Sequence, residues 1–174
     1  YGAKGGHVFV LGNAAGRPLI NSVGRPRVVI NGTCLDYLAE SFMAGDPLND
    51  GGFVILNGLE CDDNGELREL PTPYPGGNLF SLASGGAIYV RDPHQRVSTD
   101  QLNGGDFAPF TSADWAVVEP LLKQNEREFG IPVTRLLEVD GQPRRPGEVY
   151  RRIQPAKVKA LQAEEMWVAH AKNG

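Results

Sequence analysis

Four short segments in the first half of the chain share one pattern, in which turn residues flank an apolar run of four or five residues. They span 5–12, 25–32, 51–58 and 85–92. Short runs rich in valine and isoleucine and bounded by glycine are typical of β-strands. The segments begin 20, 26 and 34 residues apart, and such recurrence predicts a repeating β-structure whose units stack on one another.

Glycine recurs in the turns of this pattern because each corner needs backbone angles that a Cβ penalises and because stacked units approach closely. The pattern therefore predicts a parallel β-helix, with residues inserted at 34–50 and 59–77 to account for the longer intervals. An ordinary β-sandwich with glycine turns is the alternative, but it has no reason to repeat one unit. The structural turn glycines predicted on this basis are Gly5, Gly6, Gly12, Gly32, Gly51, Gly52, Gly58, Gly85 and Gly86.

The second half of the chain has a different character. A polar connection over 93–110 is followed by a helix signal that opens at Ser112 and stops at Gly130, with Pro120 predicting a kink or a fresh start. We expect a second short helix over 133–139, an extended stretch over 148–153 and a helical tail over 156–172.

These signals divide the chain into β-repeats over 1–92, a linker over 93–111 and a helical extension over 112–174. Because the sequence begins at Tyr1 without a methionine, we also expect N-terminal repeats to be missing.

Composition argues against several function classes. The net charge of −4 argues against a nucleic-acid groove, which needs a clustered Lys/Arg surface. We interpret the cations at 144–145 and 151–152 as a solvated face. No apolar run is long enough to span a bilayer. Cys34 and Cys61 lie 27 positions apart without a CxxC spacing, which indicates reduced thiols and a cytoplasmic protein.

The residues that commonly carry chemistry form no recognisable set. His7, His94 and His170 lack metal-ligand spacing. The acidic stretch 62–69 surrounds Asn64-Gly65, a hairpin signal, and is interpreted as a solvated tip or as a docking site for a basic partner. No P-loop, GxGxxG or GxSxG frame occurs. We therefore predict no catalytic, cofactor-binding or metal-binding residue in this chain.

Several segments resemble one known family. Residues 1–6, 15–24, 51–56 and 78–92 look like successive units of the GXGXG domain that closes the large subunit of glutamate synthase, and residues 114–138 and 150–155 look like the tail that follows it. The resemblance implies a right-handed parallel β-helix, a single-stranded solenoid, followed by C-terminal α-helices. The class would then be all-β with a helical tail.

The same resemblance implies a noncatalytic scaffold in an oxidoreductase complex of nitrogen metabolism. The domain would pack against amidotransferase or flavin and iron–sulfur partners, so that FMN and the clusters lie in those partners. The inserts 39–50 and 59–77 and the turn 82–84 depart from the family pattern and leave the specific complex open. The alternatives are the equivalent subunit of a formylmethanofuran dehydrogenase type of complex and, more remotely, a free-standing glycan-binding β-helix.

Overall fold

The computed structural model describes residues 1–156, so most of the helix expected over 156–172 lies outside the described residues. The strands are β1 (His7–Val10), β2 (Arg27–Ile30), β3 (Phe53–Leu56), β4 (Leu59–Cys61), β5 (Leu67–Glu69), β6 (Ile88–Arg91), β7 (Gly105–Ala108), β8 (Glu138–Val139), β9 (Gln142–Pro143) and β10 (Tyr150–Pro155). The helices are α1 (Ser112–Phe129), α2 (Val133–Leu136) and α3 (Pro146–Val149), and short 3-10 turns form at Pro47–Asn49 and Thr99–Gln101.

The four glycine-flanked segments become β1, β2, β3 and β6, which are parallel neighbours in the main sheet. Their register is regular: Val8 lies opposite Val28, Val28 opposite Val54, and Val54 opposite Ile88. Equivalent positions of the repeat therefore stack directly across the sheet. The segments between the strands also contact each other, because Ala14 bridges Cys34 and Val23 bridges Met43, both in parallel.

The main sheet has six strands in the order β1-β2-β3-β6-β10-β7. Strand β10 comes from the far end of the described chain and pairs antiparallel with both β6 and β7. Tyr150 lies opposite Arg91, and Arg152 lies opposite both Tyr89 and Ala108. The parallel stacking therefore stops at β6, and the sheet is mixed.

The prediction of an all-β, right-handed parallel β-helix followed by C-terminal helices is wrong. The chain is a mixed α/β structure with a six-stranded mixed sheet, two separate two-stranded sheets and three helices within the described residues. The repeat pattern reported the local turns and strands correctly. It could not report that β10 closes the series antiparallel. The hairpin β4-β5 in the insert at 59–77 lies around Asn64-Gly65, where the sequence signal predicted one.

Apolar residues cover both faces of the main sheet, as the alternation of side chains along a strand requires. One core contains Val28, Val54 and Ile88 and is completed by buried residues of the connecting segments, such as Phe42 and Phe80. The second core contains the alternate strand residues, and α1, α2 and α3 cover it. Because both faces are buried, β3 is apolar throughout, and β2 and β6 each carry a single arginine at one end of the strand.

Helix α1 begins one residue earlier than a cap at Ser112 would give. Thr111 is the N-cap, and its hydroxyl and the carboxylate of Asp114 form a reciprocal capping box. The helix ends at Gly130 with φ of 70°, as expected. It continues through Pro120 as one element, so the predicted fresh start there does not occur.

Backbone conformation is unusual in the segments that connect the strands. Leu19 and Asn21, Ala39 and Ser41, and Phe80 and Leu82 all have positive φ although none is glycine. The pairs share the same spacing within the repeat. The amides of Asn21, Ala39, Ser41 and Phe80 bond to the neighbouring layer, as in the 2.9 Å bond from the Ala39 N–H to the Pro18 carbonyl. The layered hydrogen bonding holds these residues in a conformation that side chains disfavour.

Candidate functional site

The predicted turn glycines lie at the strand ends, where the sequence places them. Gly6, Gly58 and Gly86 have positive φ, and an added Cβ at Gly32, Gly51, Gly52 or Gly85 would come within 3 Å of neighbouring atoms. Gly5 and Gly12 face open space. Gly86 is the most constrained, because it combines a φ of 82° with a Cβ position only 2.2 Å from the Phe42 ring. The glycines that are required for packing are therefore Gly32, Gly51, Gly52, Gly58, Gly85 and Gly86.

The histidines lie far apart. The ring of His7 is 3.0 Å from the Gln124 amide oxygen on the exposed surface, whereas His94 lies 3.3 Å from the Glu69 carboxylate; His170 lies outside the described residues. Within residues 1–156, no group of three or more His, Cys, Asp or Glu side chains could hold a metal ion.

Glu69 belongs to a cluster that ties the hairpin to the sheet. Its carboxylate accepts a 2.8 Å bond from the buried Arg91 guanidinium, which also donates 2.8 Å bonds to the carbonyls of Leu136 and Glu138. Burial would raise the pKa of Glu69, but the hydrogen bond and charge of Arg91 and the neighbouring His94 together lower it. With its donors engaged by three acceptors, Arg91 connects parts of the fold and has no role in binding an outside anion.

A second charged cluster is centred on Asp114. One carboxylate oxygen accepts bonds from the Tyr89 hydroxyl at 2.8 Å and from the Arg152 guanidinium at 2.9 Å. The other accepts from the Thr111 N–H and hydroxyl, each at 2.8 Å. Burial would raise the pKa of Asp114, yet these bonds and the Arg152 charge together lower it. Each oxygen of the carboxylate thus accepts two hydrogen bonds from within the fold, so Asp114 has a structural role.

Two clefts are large enough to admit a small molecule. One of about 640 Å³ lies between Asp46, Ser84 and Arg152, and one of about 570 Å³ lies between Phe110, Trp115 and Arg145. In the first cleft, Arg152 is already bound to Asp114. Neither cleft is lined by His or Cys, so neither pairs a nucleophile with a histidine base.

The surface that stands out is the outer edge of β1. Among the described residues β1 pairs with β2 alone, whereas β2, β3 and β6 each have a neighbour on both sides. The exposure of equivalent side chains changes accordingly: Val8 is 51% exposed, but Val28 is 4% exposed and Val54 is fully buried. Val8, a residue of core type, therefore stands at the surface because no further strand from residues 1–156 covers it.

Leu11, one position beyond β1, is likewise more exposed than its equivalents in the later repeats. Its register equivalents Asn31, Asn57 and Arg91 are buried, whereas Leu11 is 49% exposed. We call the outer edge of β1, with the side chains of Lys4, Val8 and Leu11, the open end.

The backbone of the open end also offers unsatisfied groups. Parallel pairing uses alternate residues of a strand, and the bonds from the Arg27 N–H to the Gly6 carbonyl and from the Asn31 N–H to the Val10 carbonyl fix which ones face β2. The N–H groups of Val8 and Val10 point toward β2. Those of His7, Phe9 and Leu11 point outward, as do the carbonyls of His7 and Phe9.

Charge is unevenly distributed along the chain. Residues 1–35 carry Lys4, Arg17, Arg25 and Arg27 and no acidic residue, although the whole chain has a net charge of −4. Two carboxylates from later residues neutralise part of this charge, since Glu40 pairs with Arg17 and Asp50 pairs with both Arg25 and Arg27. The three arginines are thus paired within the fold, and two of them, Arg25 and Arg27, belong to the second repeat.

Sequence reasoning did not single out the residues of the open end, because it treated the four repeats as equivalent. Aligning the repeats gives a signal for it, because residues 8–10 of the first unit are apolar like their equivalents 28–30 and 54–56 in the later units. What the sequence does not show is that this unit lies at the edge of the sheet.

Comparisons of the chain with protein-family models, with curated proteins and with solved structures found no match. The resemblance to the glutamate synthase domain therefore stays a prediction. No helix within residues 1–156 combines the length and hydrophobicity that crossing a membrane requires.

Proposed function

We propose that this chain is a noncatalytic scaffold of a glutamate-synthase-like oxidoreductase complex and that it packs against a flavin/iron–sulfur or amidotransferase partner. The observation that carries the proposal is the open end, where a core-type valine and unpaired strand amides lie at the surface. Edge strands with free hydrogen-bonding groups and apolar side chains are sites where a further strand attaches, whether from the same protein or from another polypeptide.

The two charged clusters support the same role, because the hydrogen-bonding groups of their central residues are occupied by partners within the fold. Arg91 and Asp114 are each engaged by several partners within the fold, so they rigidify the sheet and the helical face. A rigid domain with an exposed edge strand is suited to hold neighbouring domains in fixed relative positions. In this proposal FMN and the iron–sulfur clusters belong to the partners, and the complex is cytoplasmic.

The test is gentle affinity purification of the tagged chain from its native cells, followed by identification of the copurifying chains and by an absorption spectrum. We expect stoichiometric flavin and iron–sulfur subunits or an amidotransferase. Recovery of the chain as a colourless monomer under conditions that preserve other complexes would contradict the proposal.

A pair of surface variants sharpens this experiment. Val8→Asp adds a charge at the open end, where Val8 is 51% exposed, and we expect it to abolish copurification. Leu82→Asp adds the same charge at a residue that is 76% exposed but lies in a connecting segment away from β1, and we expect it to leave copurification unchanged. Both purified variants should keep the native circular dichroism spectrum, because neither side chain is buried.

A further inference from the structure

The exposed turn of the β4-β5 hairpin carries a site of covalent modification: we infer that Asn64 deamidates spontaneously through a cyclic succinimide and that the fold protects the other Asn-Gly pairs it describes. The reaction needs no enzyme and does not depend on the proposed partner complex. It makes Asn64 the position in the described fold at which the purified chain gains negative charge over time.

The chemistry follows from the residue pair Asn64-Gly65. The backbone nitrogen of Gly65 loses its proton and attacks the side-chain carbonyl carbon of Asn64. A new N–C bond closes the five-membered ring, the bond to the side-chain nitrogen breaks, and ammonia leaves. Water then opens the succinimide at either carbonyl, so asparagine and water become aspartate or isoaspartate and ammonia. Glycine favours the attack because it has no Cβ to hinder the approach of its nitrogen.

The sequence alone does not select the reactive pair. It holds five Asn-Gly pairs, at 31–32, 57–58, 64–65, 103–104 and 173–174, and the last lies outside the described residues. Because succinimide formation requires the side chain to turn toward its own backbone, burial and hydrogen bonding of each asparagine decide its rate. The fold separates the four described pairs on both counts.

The first two pairs are held inside the protein. Asn31 and Asn57 are each 1% exposed, and their carboxamides are bonded to each other at 3.0 Å and to further buried side chains. The attacking nitrogens are engaged as well, since the N–H groups of Gly32 and Gly58 donate to carbonyls of the neighbouring layer at 3.0 and 2.9 Å. Reaction at either pair requires the core around it to open.

Asn103 is exposed, but its side chain is anchored. Its amide nitrogen donates to the Asn78 carboxamide oxygen at 2.9 Å and lies 3.4 Å from the Ser81 hydroxyl. Its backbone N–H donates to the Leu79 carbonyl at 3.0 Å. The carboxamide therefore has to leave these partners before it can meet the Gly104 nitrogen, and we expect this pair to react at an intermediate rate.

Asn64 has no comparable anchor. Asn64 and Gly65 are both exposed, a Cβ added at Gly65 would meet nothing within 4 Å, and no hydrogen bond within residues 1–156 holds the Asn64 side chain. Only the backbone of the turn is restrained: the N–H groups of Asn64 and Glu66 donate to one Asp62 carboxylate oxygen, each at 2.9 Å, and the Gly65 N–H donates to the Asp62 carbonyl at 2.9 Å. Bonds at an exposed hairpin tip open far more easily than bonds in a core, so opening of this turn sets the rate.

The product changes the turn that forms it. Deamidation places a new carboxylate beside Asp62, Asp63 and Glu66. The isoaspartate form also adds a methylene to the main chain, which moves apart the two amides that share the Asp62 carboxylate. We therefore expect the modified hairpin tip to be less well ordered than the original.

The experiment follows the full chain at pH 8.5 and 37 °C, folded and in guanidinium chloride, by peptide mapping with mass spectrometry. In the folded chain we expect Asn64 to react at least about tenfold faster than Asn31 or Asn57 and about threefold faster than Asn103, because local opening costs less at the hairpin tip. In denaturant the same four pairs should react at similar rates, because only the local sequence then acts. The map resolves Asn173 as a separate peptide, so its reaction does not disturb the comparison.

Matched variants test the role of the turn. Asp62→Ala removes the carboxylate that accepts two turn bonds, whereas Asp63→Ala removes the same charge from an exposed neighbour. We expect Asn64 to react about threefold faster in Asp62→Ala than in Asp63→Ala, because only the first variant loosens the turn. Equal rates at the four pairs in the folded chain, or faster reaction at Asn103 than at Asn64, would overturn the inference. Equal Asn64 rates in the two variants would refute control by turn opening.

Discussion

The side-chain amide of Asn57 donates a 3.0 Å hydrogen bond to the carboxamide oxygen of Asn31 on the neighbouring layer of the sheet. That oxygen also accepts a 2.9 Å bond from Asn125 of α1, and the Asn31 amide donates to the Val10 carbonyl and back to Asn125. The Tyr150 hydroxyl donates to Asn57 at 2.8 Å. Each hydrogen-bonding position of the Asn31 carboxamide is thus occupied inside the protein, and the row joins the sheet, α1 and β10.

Replacing Asn31 with alanine should lower the free energy of unfolding by about 3 kcal/mol, because it leaves buried groups of Asn57 and Asn125 without partners. Urea unfolding followed by circular dichroism measures this loss. Asn64→Ala, in the exposed hairpin turn, should change stability by less than about 0.5 kcal/mol. The double variant at Asn31 and Asn125 should cost less than the sum of the two single variants; an additive result would show that the two side chains do not stabilise each other.

Local sequence signals predicted much of the fold, and the remainder depends on long-range pairing. The strands around Val28, Val54 and Ile88 were visible because apolar runs between glycines have few other structures to adopt. The extended stretch that contains Tyr150 was also visible, but its antiparallel partner lies about 60 residues earlier, and no local pattern encodes that choice. The error in fold class comes from this pairing.

The same distinction applies to the polar residues. Asn31 and Asn57 each follow a strand directly and precede a glycine, so the sequence pattern places them in turns. Both side chains are nevertheless almost fully buried. The residues of the open end were not singled out for a related reason: exposure depends on which unit stands at the edge of the sheet.

The Asp114 cluster should make stability depend on pH in the acid range. Because the pKa of Asp114 is lower in the folded protein than the unfolded value of about 3.9, the ionised carboxylate stabilises the fold above that pH. Its contribution disappears as the pH falls through the folded-state pKa. Asp114→Asn should therefore cost about 2 kcal/mol at pH 7, the usual loss for a charged hydrogen bond, and the cost should begin to fall once the pH drops below about 3.9.

Urea unfolding of the wild-type chain and Asp114→Asn at several pH values between 3 and 7 measures this difference. Asp63→Asn, an exposed residue of the hairpin, is the control and should give a small difference that does not change across the range. A cost for Asp114→Asn that stays constant between pH 7 and pH 3 would contradict the assigned role of the ionised carboxylate.

The free cysteines should differ in reactivity. Burial raises the pKa of the Cys34 thiol to about 12, whereas Cys61 is exposed at the end of β4. Because the thiolate is the reactive form, a disulfide reagent such as DTNB should modify one thiol per native chain at pH 8 and the second only in urea. Cys61→Ser should remove the fast reaction and Cys34→Ser should leave it. Modification of native Cys34 at the rate of Cys61 would show that the core around Phe42 and Leu38 opens.

Leu82 offers a stabilising substitution that follows from its backbone alone. Its φ is 56° and its side chain is 76% exposed, so glycine removes the left-handed penalty of about 1 kcal/mol with little loss of packing. Glycine also gives the unfolded chain more freedom, which returns part of that gain. The net expectation for Leu82→Gly is an increase of about 0.5 kcal/mol in the free energy of unfolding.

The matched control is Leu35→Gly. Leu35 is 66% exposed but is not among the residues with positive φ, so this variant should lower the free energy of unfolding by about 0.5 kcal/mol. Equal losses for the two variants, measured by thermal unfolding under the same conditions, would show that the left-handed conformation of Leu82 carries no strain.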